Sequence, residues 1–479
     1  MIKRFTIAIL LVSVFCGSIN AADFKLNGVY TAWAQSQHSF KLKQDAYDHN
    51  YIVQMLRFNL QGIANENLKF VTRFDIAQGW WGVDNALRSV QRTGTGGGSA
   101  LFDFKGTNFL FHVDQAYIDF KVPDLPINVK VGRMWYGLGN KIMVDNNYDG
   151  VQVVLFKDLQ LGWAKVSEGA DNTSDSFDAD ADNRDADLFL GSYKGVAGDL
   201  KYNIFGFYYN DKSIEDGTAY VHDMFQFFKT RFSPQVTQLT AVGVSGSYKV
   251  GKLTLNGEFN YLTGKDDIDN ATHAGKLADS YDINDGTLSG YNVYAKVKYD
   301  KCDAFSLGAV FGLGSGDDDL TGGAGNVNKL RTSGFFYITE IWEDSIMPDE
   351  EGITPQGLGA PNVRGYRELE NTTIIQLNST YKPLPKLSVF VSGSYIMATQ
   401  PIAAWANNGE GVVIDNETTA QDIGTEIDFK IDYKLYKELG LTFRGGYFMP
   451  GDAAGYLING NTDNLDPVWE LKGVITYKF

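Results

Sequence analysis

Arginine, lysine and carboxylate residues at every second position of apolar segments are the side chains of this sequence best placed to do chemistry. Arg57 stands opposite Leu56, Phe58 and Leu60, while Lys69, Arg73 and Asp75 stand opposite Leu68, Phe70, Phe74 and Ile76. Further on, Lys296 and Lys298 oppose Tyr291, Val293, Val297 and Tyr299. Glu426, Asp428, Lys430, Asp432 and Lys434 alternate with Ile427, Phe429, Ile431, Tyr433 and Leu435. Near the C-terminus Arg444 opposes Leu441 and Phe443, and Glu470 and Lys472 oppose Trp469 and Leu471. A face carrying charge at alternate positions cannot fill a dry core, because unpaired buried charge is too costly. It can line water, where pore radius and field select solutes. Two arrangements stay open. Arg57, Arg73, Arg444 and Lys472 could form a basic ladder that passes anions, or the wall could be of mixed sign, its cations paired with Asp75, Glu426, Asp428 and Asp432.

Catalysis has little support. There is no H-E-x-x-H and no G-x-S-x-G elbow, since "GVSGS" (243–247) has the wrong spacing; only five histidines occur. His112 and Asp114 share a strand face without a nucleophile beside them. The chain reads as a non-enzyme without a cofactor, and the absence of C-x-x-C-H excludes attached c-type haem. One stretch suggests a metal: in "DNTSDSFDADADNRDAD" (171–187), Asp178, Asp180 and Asp182 are spaced like the start of a calcium loop. Asn183 and Phe189 stand where an EF-hand needs glycine and glutamate, so that motif is excluded. A looser calcium site bridging lipopolysaccharide phosphates and a plain solvated loop both remain open.

The elements that must position these residues are strands. Eighteen segments of roughly 9–14 residues, the length of a tilted membrane-crossing strand, run from 24–36 to 466–479. High glycine, tyrosine and phenylalanine counts (52, 26 and 31) with only 11 prolines suit aromatic-rich strands joined by turns. Connections alternate between short ("PDLP", "KDL", "VAGD", "VGK", "PLPK") and long (78–107, 169–186, 213–237, 265–289, 315–369, 399–421, 451–465). That rhythm predicts an all-β, up-and-down antiparallel transmembrane barrel of about 18 strands, with short periplasmic turns and long external loops. The longest connection mixes apolar "GFFYITEIW" (334–342) with polar residues, so 315–369 is expected either to fold inward and narrow the pore or to form an external hairpin.

The first residues read as an export signal: basic "MIKR", apolar "FTIAILLVSVFCG", then "SINA" with cleavage after Ala21. The expected organisation is a signal peptide, 1–21, and one barrel domain, 22–479, in the outer membrane of a Gram-negative bacterium. Loss of Lys3 and Arg4 takes the formal charge from -16 to -18, which excludes nucleic acid as a partner. Lipid, lipopolysaccharide and small hydrophilic solutes are the partners such a barrel implies.

The segment "VKVGRMWYGLGNKIMVDNNYDGVQVVL" (129–155) is the most distinctive. Through Gly132–Arg133, the Gly137–Asn140 turn and Tyr148–Val151, it resembles the alginate-export family of outer-membrane barrels. "RFDIAQGW" and "VDQAYIDFKV" upstream also resemble it. The resemblance implies an eighteen-stranded barrel whose basic pore conducts an anionic polysaccharide, with Arg57, Arg73 and Arg133 in the lumen. Strict alternation sets Arg133 instead on the Val129/Val131 face, and a bulge at Gly132 would reconcile the two. Passive diffusion of small solutes is the first functional reading, polysaccharide export the second, and a partner-binding barrel (a sleeve for an electron carrier, or an adhesin) the third. The terminal Phe479, on the face of Ile475 and Tyr477, resembles the signal read by the barrel-assembly machinery.

Overall fold

The computed structural model describes residues 23–44, 48–81, 112–167, 185–212, 238–266, 286–316, 325–326, 336–346, 369, 371–407 and 412–479. Within them, residues with alternating apolar side chains form β1 (Asp23–His38), β2 (His49–Asn65), β3 (Leu68–Trp80), β4 (His112–Lys121), β5 (Ile127–Gly137) and β6 (Asp145–Leu155). These are followed by β7 (Leu159–Ser167), β8 (Ala186–Ala197), β9 (Leu200–Asp211), β10 (Gln238–Val250), β11 (Leu253–Asp266) and β12 (Gly286–Cys302). The last six are β13 (Phe305–Gly314), β14 (Thr372–Leu384), β15 (Leu387–Asn407), β16 (Val412–Lys434), β17 (Leu439–Pro450) and β18 (Val468–Lys478). Each is antiparallel to its neighbours, and β1 pairs with β18 from Val29↔Lys478 to His38↔Trp469, so the sheet closes. The two-residue segment Gly325–Asn326 adds a parallel bridge to β12. Each of the eighteen strands overlaps a segment expected from the sequence.

Closure leaves no free edge, which an apolar surround requires. Leu68, Phe70, Ile118, Val242, Leu377, Ile427 and Ile475, each on the outward face of its strand, are 41–67% exposed and form an outer apolar belt. The inward faces hold Asp75, Glu258, Asn260, Glu426 and Glu470, all 4% exposed or less. Among the described residues no helix is long and apolar enough to cross a membrane.

Three features depart from a plain barrel. Connection 399–421 is not a loop: β15 and β16 run on as a hairpin with register shifts near Met397 and Ala403. Its apolar residues are strand-forming because they find a partner, the short helix α1 (Asp452–Asn459), whose Ala453, Ala454 and Leu457 are buried in one cluster with Ile402. Second, the β5–β6 hairpin leaves the wall. The β4–β5 ladder stops at Ala116↔Arg133 and the β6–β7 ladder at Asp149↔Lys165, yet β5 and β6 continue to pair as far as Gly137↔Asp145. Third, residues 336–346 lie against the inner faces of β14 and β16–β18.

Candidate functional site

Burial drives the β5–β6 hairpin inward. Met134, Tyr136, Leu138, Met143, Val144 and Tyr148 pack with Leu188, Leu190, Phe205, Phe207, Tyr209, Ala241 and Leu262 from the inner faces of β8–β11. Tyr136 Oη donates to Trp163 O (2.8 Å). A side chain at Gly150 would collide with that carbonyl and with the Tyr136 hydroxyl, so the close approach requires glycine. At the tip, Gly139 takes a left-handed turn (φ 55°) and the Asn140 amide donates to the buried Glu258 carboxylate of β11. The other face of the hairpin looks toward β3 and β4. Asn147 Nδ2 donates to Asp114 Oδ1 (2.7 Å), and Gln115 Nε2 donates to Asn147 Oδ1 (2.8 Å).

Between that face and β3–β5 lies a cavity of about 420 Å³ lined by Arg73, Gln115, Tyr117, Lys130, Met134, Trp135 and Lys141. Lys141 sits 5.0 Å from the Trp135 ring centroid, and Trp135 Nε1 donates to Asp145 (2.5 Å). Below the cavity Arg57 grips Asp75 through two bonds (2.7 and 2.8 Å) and reaches Asp114 at 3.4 Å. Arg73 pairs with Asp114, and Lys69 with Asp119 at 3.2 Å. Of the two arrangements left open by the sequence, the geometry is that of mixed sign.

The second cluster forms around the insert. Its π-helical turn, Trp342–Ile346, is preceded by Ile341, and all three of these apolar residues are buried with Ile374, Ile396, Ile423, Phe448 and Val468. The Trp342 ring stacks on Phe448 with centroids 5.3 Å apart. Glu426 accepts the Ile341 and Trp342 amides (2.6 and 2.9 Å), and Gln376 Nε2 donates to Ile338 O (3.0 Å). Glu470 accepts Gln35 and Gln37 (2.7 and 2.8 Å), Ser345 Oγ (3.1 Å) and Lys472 Nζ (2.7 Å). Arg444 meets Glu340 at 3.0 Å, and Lys472 meets Asp344 at 3.2 Å. Of the two readings of 315–369, its described inner part follows the inward one.

Elsewhere the wall is open to water: Lys298 pairs with Asp300 (2.7 Å), Lys430 with Asp432 (3.3 Å), and Lys296 is exposed. Asp428 is buried beside Glu426 and accepts the Ser392 hydroxyl at 3.2 Å. Arg133 corrects the placement implied by the family resemblance. Gly132 has a positive φ (126°), but the register passes through it without a shift, so no bulge reverses the strand. Arg133 therefore stays on the Val131 face, opposite Ala116, and pairs with Asp149 at 3.2 Å. It sits at the fork where the hairpin leaves the wall. Phe479 exchanges backbone bonds with Gly28 and packs outside against Phe58 and Tyr477. Asp178, Asp180 and Asp182, and residues 1–21, lie outside the described residues.

The sequence reading missed Asp114 as the shared partner of Arg57 and Arg73, and Glu340 and Asp344 as partners of Arg444 and Lys472. It also missed the hairpin, although the apolar run Ile142–Val144 within a supposed loop was an available signal.

No family profile and no curated protein matches the sequence. Solved structures do match in fold. OccAB2 of Acinetobacter baumannii aligns at TM-score 0.52 with 13% identity, over 95% of this chain and 98% of that one. OccK8 (OprE) of Pseudomonas aeruginosa aligns at 0.51 and 13%, with the same coverage, and OccK2 (OpdF) of that organism at 0.50 and 12%. The likeness is one of architecture: a closed eighteen-stranded barrel.

Proposed function

We propose that this chain is an outer-membrane porin, a water-filled channel for passive diffusion of small hydrophilic solutes. The carrying observation is the 420 Å³ cavity between the hairpin and β3–β5, with the paired charges of Arg57, Arg73, Asp75 and Asp114 on the inner face of a closed barrel. Eighteen strands leave room for an aqueous lumen. Two inward elements narrow it: the β5–β6 hairpin packs against β8–β11, and the insert against β14 and β16–β18. Among the described residues, the cavity along β3–β5 lies beside them. Solutes entering there meet opposed arginines and carboxylates, so size and dipole orientation set the rate, down the concentration gradient. The neighbours of the same architecture are outer-membrane porins, which supports the reading. Export through a signal peptide cleaved after Ala21, and assembly through Phe479, belong to the same proposal.

Export of an anionic polysaccharide is the second reading, favoured by Arg73, Lys130 and Lys141 around the cavity. Pairing of Arg57, Arg73, Arg444 and Lys472 with carboxylates weighs against it. A sleeve for a folded protein is disfavoured by the two elements inside the barrel. Proteoliposome swelling separates these readings. Uncharged sugars of increasing size should enter at rates falling steeply with radius; vesicles that do not swell even with the smallest sugar would refute diffusion.

A further inference from the structure

The insert meets β16–β18 with an unequal set of charges. The wall contributes Glu426, Asp428, Arg444, Glu470 and Lys472, and the insert Glu340, Glu343 and Asp344. Most of these carboxylates fasten donors: Glu426 takes two insert amides, and Glu343 takes the amides of Ile338, Thr339 and Leu369 at 2.6–3.1 Å. Glu470 holds two glutamines of β1 and the Ser345 hydroxyl. Glu470 also meets Lys472 at 2.7 Å, and Glu340 and Asp344 bring two further carboxylates, from the insert, to the wall's two cations. Glu340 lies 3.0 Å from Arg444 and 3.6 Å from Lys472, and Asp344 lies 3.7 and 3.2 Å from the same pair. The side chains of Glu340, Asp344 and Arg444 are 12, 16 and 26% exposed, so this group reaches water at its edge.

We propose that Glu340 and Asp344 are specificity-determining residues of the channel: by offsetting Arg444 and Lys472, they mask from permeating ions positive charge that the strand pattern places on the pore wall. This rests on the porin reading and deepens it. On β17 and β18 the inward Arg444, Lys472 and Glu470 carry a formal +1, because Glu470 already meets Lys472 at 2.7 Å. Glu340 and Asp344 bring the group to -1, and losing one insert carboxylate would shift it by one positive unit.

Protonation can produce the same loss. Burial pushes the Glu340 carboxyl up to about 7, against the opposing pull of Lys472 and Arg444, with Asp344 and Glu470 adding to the rise. Below that pH Glu340 is neutral and the group is one unit more positive; above it the Glu340 carboxylate offsets Arg444. Acid therefore moves the channel toward anions.

The test is the reversal potential of reconstituted channels in a potassium chloride gradient between about pH 5.5 and 8.5. A unit charge about 6 Å from the ion path in water changes local ion occupancy about threefold. Because the effect has opposite sign for the two ions, the wild type should gain about tenfold in chloride over potassium permeability as pH falls through about 7. Glu340→Gln should hold the acid value at every pH, the double variant with Asp344→Asn should gain about tenfold more in that ratio, and Arg444→Gln should move toward cations. Superimposable reversal potentials for wild type and Glu340→Gln would overturn the proposal. So would a rise in conductance with unchanged reversal, because the carboxylates would then only fasten the insert. Absence of single-channel steps in the wild type would overturn the porin reading as well, whereas steps with an unchanged reversal potential sink this inference alone.

Discussion

Replacing Trp342 by alanine isolates the insert from the barrel that holds it. Trp342 is fully buried, stacks on Phe448, and its amide is one of two held by Glu426. None of the eighteen strand ladders runs through it, so the wall should close normally. Truncating a buried aromatic to alanine typically costs about 3–5 kcal/mol, through lost burial and the cavity left behind. At about 1.4 kcal/mol per decade, that lowers the ratio of docked to released insert by roughly two to four orders of magnitude. The Glu426 bonds and the Arg444 and Lys472 pairs remain, so the insert should loosen without being lost. Single-channel recording should then show a larger, noisier conductance than the wild type. A variant that assembles in normal yield and conducts indistinguishably would refute the claim that the insert narrows the lumen.

Three further perturbations probe other parts of the account. Arg73→Gln leaves Asp114 with Arg57 and the Asn147 amide, and the potassium over chloride permeability ratio should rise about tenfold; an unchanged reversal potential would take Arg73 off the ion path. Gly150→Ala sets a methyl against Trp163 O and the Tyr136 hydroxyl, which should cost about 1–3 kcal/mol by overpacking, read as a lower midpoint in denaturant unfolding. Deleting Phe479 removes its backbone exchange with Gly28 and its contact with Phe58, so the amount of assembled barrel in the membrane should fall while surviving channels conduct normally.

The strands were legible in the sequence because each must alternate over a full crossing, as in Glu426–Leu435, where lipid and water impose opposite demands. Glycine turns and the long–short rhythm gave the closure for the same reason. What the sequence hid depends on distance in space. Asp114 pairs with Arg73 across 41 positions, and Glu340 with Arg444 across 104, so alternation could assign each to a face but not to a partner. Arg133 shows a further limit: period-two reasoning placed it correctly, while the resemblance to a family suggested otherwise. The inward hairpin was missed because the pattern continues unbroken through 134–137; only the end of pairing with β4 and β7 reveals that it has left the wall.

The central claim is that a continuous aqueous path runs through this barrel past the hairpin and the insert. Single-channel recording of the purified full-length chain in a planar bilayer, in symmetrical potassium chloride, tests it most directly. Discrete, stable conductance steps that scale with salt concentration are predicted. Protein shown to be inserted and folded that adds no steps above the bare bilayer would contradict it.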